Sequence, residues 1–206
     1  MRRASLVVAL GLAAVCSASP PVAADSPNTL RTPAELAGIA DTDTRSSALF
    51  EEIAKVLRNP RCINCHPAGD RPTQTDRMRP HEPLVLRGAA GTGAPGMPCT
   101  TCHHDSNFDA ARVPGNPSWR LAPLTMAWQG RSVAQICEQI KDPKRNGGKD
   151  LAALVHHMAD DSLVKWAWAP GADRTPAPGS HEQFVALLHA WVDTGARCPS
   201  NEGASK

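Results

Sequence analysis

Cys62-Ile63-Asn64-Cys65-His66 and Cys99-Thr100-Thr101-Cys102-His103 repeat one pattern, C-x-x-C-H, 37 residues apart. The pattern is the attachment signature of a c-type haem. Each cysteine sulfur adds across one vinyl group of the porphyrin, and the adjoining histidine reaches the iron from one side. Two copies therefore predict two covalent haems c, with Cys62, Cys65, Cys99 and Cys102 as thioether positions and His66 and His103 as proximal iron ligands. A chain with this load must fold around two large, flat, apolar bodies. Rival chemistries for the same cysteines are less favoured. A four-thiolate zinc site would have to join pairs separated by 33 residues, and exported proteins rarely use such sites. A thioredoxin-like dithiol requires a βαβ context that the sequence lacks.

The first residues read as an export signal. Arg2 and Arg3 form a basic start, Ala4 to Val15 is a run of small and aliphatic residues, and Val22-Ala23-Ala24 offers a cleavage site. The expected organisation is a signal peptide over 1–24 and one dihaem domain over 25–206. Val15 is a poor lipobox residue before Cys16, so no lipid anchor is expected, and no later stretch reads as a membrane span. Haem is attached to C-x-x-C-H outside the bacterial cytoplasm, which agrees with a periplasmic location.

Removal of the leader leaves 20 basic against 20 acidic side chains, so the mature chain lacks the electrostatic footprint of a nucleic-acid binder. Its one local basic cluster, Lys141, Lys144, Arg145 and Lys149, reads as a solvated helix end. With Cys16 in the leader and four cysteines given to haem, Cys137 and Cys198 remain. An oxidising compartment favours their pairing.

Helix signals are clear and strand signals nearly absent, with no tyrosine in the chain. Thr32-Pro33-Ala34-Glu35 is a capping box that opens a short helix. Residues 45–58 carry Leu49, Phe50, Ile53, Val56 and Leu57 on one stripe, stopped by Pro60 just before the first motif. Ser132 with Gln135, Asp150, and Ser180 with Gln183 open three more helices, the last striped by Phe184, Leu187, Leu188, Trp191 and Val192 and ending at Gly195. Proline and glycine gather in 67–98 and 169–179, which read as irregular loops. The predicted fold is mostly α, with cytochrome c-like helices and long ordered loops wrapped around two haems. The five tryptophans are expected mainly as packing residues, with faces available to a porphyrin.

The stretch 45–66 resembles the opening of small class I cytochromes c, and the helix over 180–195 resembles the closing helix that packs on it. The second motif, placed inside what would be a single-haem domain, departs from that pattern. The mature chain also resembles a group of small exported proteins labelled isoquinoline 1-oxidoreductase subunits, through "RCINCHPAGDRP", "MPCTTCHHD", "LAPLTMAW", "ICEQIKDPKRNGGKDL" and "LVKWAWAPG". The enzyme of that name is a molybdenum hydroxylase with iron–sulfur clusters. This chain has neither a molybdopterin-sized domain nor the C-x4-C-x2-C cluster motif. The resemblance thus implies the electron-accepting cytochrome partner of such an enzyme.

The distal ligands set the potential and decide whether iron is open to chemistry. Candidates are Met78, His81, Met97, His104, Met126, His156, His157, His181 and His189. His157 is favoured because it lies toward the apolar side of its helix. Met126, in an irregular stretch six residues before the Ser132 cap, resembles the methionine loop of class I cytochromes. His81 is held between two prolines at 80 and 83 in a loop beyond His66. The expected function is periplasmic electron transfer, accepting electrons from a dehydrogenase such as a molybdenum hydroxylase and passing them to a cytochrome or oxidase. The alternative is a small peroxidase-like haem oxidoreductase with one five-coordinate iron, and a third reading is a haem-based sensor. No hydrolytic triad, phosphate loop or H-E-x-x-H motif points to other catalysis.

Overall fold

The computed structural model describes residues 28–200. The expected leader over 1–24, with Cys16, lies outside the described residues, as do 25–27 and 201–206 of the expected mature domain. The described chain is mostly α. Helices α1 (Pro33–Leu36), α2 (Thr42–Leu57), α3 (Pro60–Ile63), α4 (Val133–Lys141), α5 (Leu151–Asp160), α6 (Ser162–Lys165) and α7 (His181–Asp193) are joined by long loops. No helix among the described residues is long and apolar enough to cross a membrane.

The helix starts follow the side chains that cap them. Thr32, Ser132 and Ser180 each accept from the third backbone N–H of their helix, and Glu35, Gln135 and Gln183 reciprocate. Asp41 caps α2, which therefore begins three residues before the stripe that announced it. Pro60 ends α2, as expected, but it also occupies the first position of α3, with Asn59 as the N-cap. A proline has no N–H to lose there. The short helix α3 carries Cys62 directly off the end of α2.

The core lies between α2 and α7, with α4 and α5 against them. Leu49, Phe50, Ile53 and Leu57 of α2 meet Phe184, Leu187, Leu188 and Trp191 of α7, all essentially without solvent exposure. Phe50 and Trp191 make a tilted ring pair with centroids 5.0 Å apart. Glu52, also buried, accepts from the Arg31 backbone and side chain at 3.1 Å and pairs with Lys55 at 2.8 Å, which ties the first described residues to α2. Beyond α7 the chain turns at Gly195 and Ala196 and lies back on α2. There Trp191 Nε1 donates to the Arg197 carbonyl and the Arg197 N–H donates to Ser46 Oγ, each at 2.9 Å.

Among the described residues the named strands are four two-residue segments that form two hairpins. β1 (Thr73–Gln74) pairs antiparallel with β2 (Arg79–Pro80), and β3 (Gly93–Ala94) with β4 (Met97–Pro98). Gly93 has φ +103°, and a Cβ there would lie 2.8 Å from the Cys99 backbone nitrogen. Only glycine lets this hairpin close onto the second C-x-x-C-H motif.

Cys137 and Cys198 form the disulfide anticipated for the two cysteines outside the motifs, with Cα atoms 5.6 Å apart. It fastens the chain end to α4 and closes a span of 61 residues. A link over that span is worth about 4 kcal/mol in the chain-entropy description. We expect the Cys137→Ala/Cys198→Ala variant to lose stability of that order in urea unfolding. An unchanged midpoint would show that the link does not limit unfolding.

Candidate functional site

Two cavities receive the C-x-x-C-H motifs, the first between the loops and helices α2, α5, α6 and α7, the second among the loops. The first, of about 540 Å³, is lined by Cys62, Cys65 and His66. The second, of about 450 Å³, is lined by Cys99, Cys102 and His103. Both volumes fall in the range of ligand and cofactor sites. Cys65, Arg61, Arg120, Leu121 and Trp166 line both, so the cavities share a wall.

Local structure presents each motif in the same way. Backbone bonds from His66 N–H to the Cys62 carbonyl (3.1 Å) and from His103 N–H to the Cys99 carbonyl (2.9 Å) wind both motifs into a single helical turn. That turn brings both cysteines and the histidine to one cavity. The histidine rings are then oriented from behind. His66 Nδ1 donates to the Met126 carbonyl at 2.6 Å, and His103 Nδ1 donates to the Pro114 carbonyl at 2.7 Å. With Nδ1 occupied, Nε2 is the nitrogen left for a metal. Such outer bonding is how ligating histidines are usually fixed. Each ring is also stacked by a tryptophan: Trp128 on His66, with centroids 3.5 Å apart, and Trp119 on His103, at 4.5 Å.

A second histidine belongs to each cavity. His157 of α5 lines the first, its Nδ1 lying 3.5 Å from Asp161, which in turn pairs with Arg120. His81 lines the second, its Nδ1 bonded to the Pro83 carbonyl at 3.0 Å and its own carbonyl held by Arg71. The His81 and His103 ring centroids are 6.0 Å apart. Met126 also lines the first cavity, but its carbonyl is the group that accepts the hydrogen bond from His66 Nδ1–H. Of the other candidates, His181 spends Nε2 on the Met158 carbonyl, and His104, His156 and His189 are exposed. Met97 lines the second cavity from an exposed position, and Met78 is exposed outside both.

Burial sets the protonation states. It pushes the Cys62 thiol up to about 12 and the Cys65 thiol to about 11, with the nearby Cys99 adding to the latter effect. It lowers His66 to about 4 and also lowers His103 and His157. The imidazoles are therefore neutral at pH 7, the form that binds metal. A redox dithiol needs the opposite, a lowered thiol pKa. Among the described residues no three His, Cys, Asp or Glu side chains converge on a common point that would hold a metal ion. The four-thiolate zinc arrangement thus has no geometric counterpart here.

Residues that the sequence did not single out complete the walls. Arg87 is buried and donates to the carbonyls of Gly69 (2.9 Å), Pro67 (3.4 Å) and Ala122. It thereby joins the loop after the first motif to the strap over 121–129. That strap is bonded to the motif itself: Ala122 N–H donates to the Cys65 carbonyl at 3.1 Å and Trp128 N–H to the His66 carbonyl at 2.9 Å. Nothing in the hydrophobic pattern marks an arginine for such a role. Each of the five quoted stretches supplies cavity-lining residues, among them Arg61, Met97, Leu121, Asn146 and Trp166. Comparison with protein-family models, curated proteins and solved structures finds no match for the chain.

Removing the Arg87 guanidinium would leave buried carbonyls without donors. We expect Arg87→Met to cost roughly 2–4 kcal/mol in chemical denaturation. A loss under about 0.5 kcal/mol would mean that water replaces these bonds without penalty.

Proposed function

We propose that this protein is a dihaem c-type cytochrome that carries electrons in the periplasm. The observation that carries the reading is that each C-x-x-C-H motif lines a cavity with both its thiols and an imidazole tied at Nδ1, and that a second imidazole lines the same cavity, Cys65 lying in the shared wall. This donor set fits a porphyrin bonded through two thioethers and ligated on both faces. Haem supplies the one-electron iron couple, and the protein supplies position, axial ligands and burial.

In this reading Cys62 and Cys65 anchor the first haem and Cys99 and Cys102 the second, with His66 and His103 as proximal ligands. His157 and His81 are the distal ligands. Two imidazoles bound to one metal through nitrogens about 2 Å away have centroids roughly 6 Å apart, and the His81–His103 separation of 6.0 Å suits that arrangement. His81 is favoured over Met126 because the Met126 carbonyl stands behind the proximal ring. The tryptophans stacked on His66 and His103 limit ring rotation, which keeps reorganisation on redox change small. Cys65 and Trp166 line the wall common to both cavities, which supports a single electron-transfer unit if each cavity holds its cofactor.

A second histidine in each cavity supports electron carriage over peroxidase-like catalysis, which would need an open coordination position. The donor would be a dehydrogenase, of the molybdenum hydroxylase class implied by the resemblance, and the acceptor a cytochrome or oxidase.

Intact mass after acid–acetone extraction should exceed that of the mature polypeptide by two haems; haem-free polypeptide would overturn the reading. His157→Ala and His81→Ala should each turn one haem high-spin in the visible spectrum while both haems stay attached. The reduced wild type should bind carbon monoxide slowly or not at all. Rapid stoichiometric binding at one haem, with peroxide turnover, would favour the enzyme instead.

A further inference from the structure

Arg61 is the residue whose position the proposed cofactor load alone does not account for. It directly precedes Cys62, yet its side chain is only 3 % exposed and lines both cavities. One terminal nitrogen donates to Asp76 Oδ1, and Asp76 Oδ2 accepts from Thr175 at 3.2 Å. Nε is buried and has no partner. A buried guanidinium N–H without an acceptor costs free energy that a bound anion would recover. Asp76 is about half exposed, so solvent weakens its neutralisation of a cation that faces two low-dielectric spaces.

The other arginines around the two cavities are already engaged. Arg120 pairs with Asp161, Arg112 pairs with Asp173, and Arg174 donates to the carbonyls of Pro170, Gly171 and Arg112. Arg87 lines the first cavity alone; its terminal nitrogens donate to loop carbonyls, and its Nε, though likewise buried without a hydrogen-bond partner, lies 3.7 Å from Asp70. Arg61 is thus the cation of the shared wall that combines deep burial with an unpartnered donor.

We propose that Arg61 is a positioning residue common to both sites: it binds a cofactor carboxylate through Nε and holds both reduction potentials up with one positive charge. The inference rests on the dihaem reading. A cation near the iron favours the reduced state, and burial between the cavities exposes both irons to the same charge.

The test is a spectroelectrochemical titration of the whole protein with haem content measured by intact mass on the same samples. Arg61→Gln should keep two haems and lower both couples. The expected effect is about threefold to tenfold in each reduction equilibrium, or about 30–60 mV for one electron. Arg61→Lys, which retains the charge without the planar fork, should restore most of the shift. A shift in one couple only, or in neither, would overturn the inference. If Arg61→Gln does not fold, Asp76→Asn decides: it removes the counter-charge and should raise both couples, and unchanged potentials would overturn the inference. A wild type without haem would instead overturn the dihaem reading itself, before any potential is measured.

Discussion

Arg87 donates to three backbone carbonyls from a buried position, and the long loops on either side of the cavities depend on interactions of this kind. Outside its two short hairpins, a stretch as rich in proline and glycine as 67–98 has no ladder to satisfy its carbonyls, and buried carbonyls left unpaired are costly. Arginine side chains supply the missing donors. Arg71 serves His81, Arg174 serves Pro170, Gly171 and Arg112, and Arg131 serves Ala127. A guanidinium carries five N–H groups in a rigid fork, so one side chain can order several turns of irregular backbone. The helices form the platform, and the arginines hold the loops that make the walls.

This division of labour explains how two sites can share one wall. The first motif leaves the end of α2 through α3, so the α2–α7 core fixes its position. The second motif stands on the β3–β4 hairpin, remote from any long helix, and is held by the Gly93 contact and by Cys99 N–H donating to Thr92. The strap over 121–129 bonds to the first motif, while Leu121 N–H donates to the Gly91 carbonyl just ahead of that hairpin. One segment thus sets the relation between the two cavities. In the proposed dihaem reading, that relation would govern how electrons pass between the two sites.

The tryptophans show why packing and function are hard to separate in such a chain. Trp191 belongs to the α2–α7 core, as its place in the helical stripe implies. Trp128 and Trp119 instead lie flat on His66 and His103. Trp166 stands edge-on to Trp119 and donates to Asn107 at 2.9 Å. Their residue type marks all of these as large apolar bodies, but not what each one covers.

Sequence by itself determined the local facts: which longer segments are helical, through caps and 3.6-residue stripes, and which cysteines remain to pair; it did not mark the four-residue helices α3 and α6 or the two hairpins inside 67–98. Those local facts follow from interactions within a few residues, or from chemistry carried whole by a short string such as C-x-x-C-H. Only the tertiary structure decided which of nine candidate histidines and methionines share a cavity with His66 or His103. It alone brought Arg61 into both walls and made the Met126 carbonyl, rather than its sulfur, the evident contact of His66. The pairs His81–His103, His66–Met126 and His66–His157 lie 22, 60 and 91 positions apart, across loops with no periodicity. Buried hydrogen bonds and shape set them, and neither leaves a repeating trace along the chain.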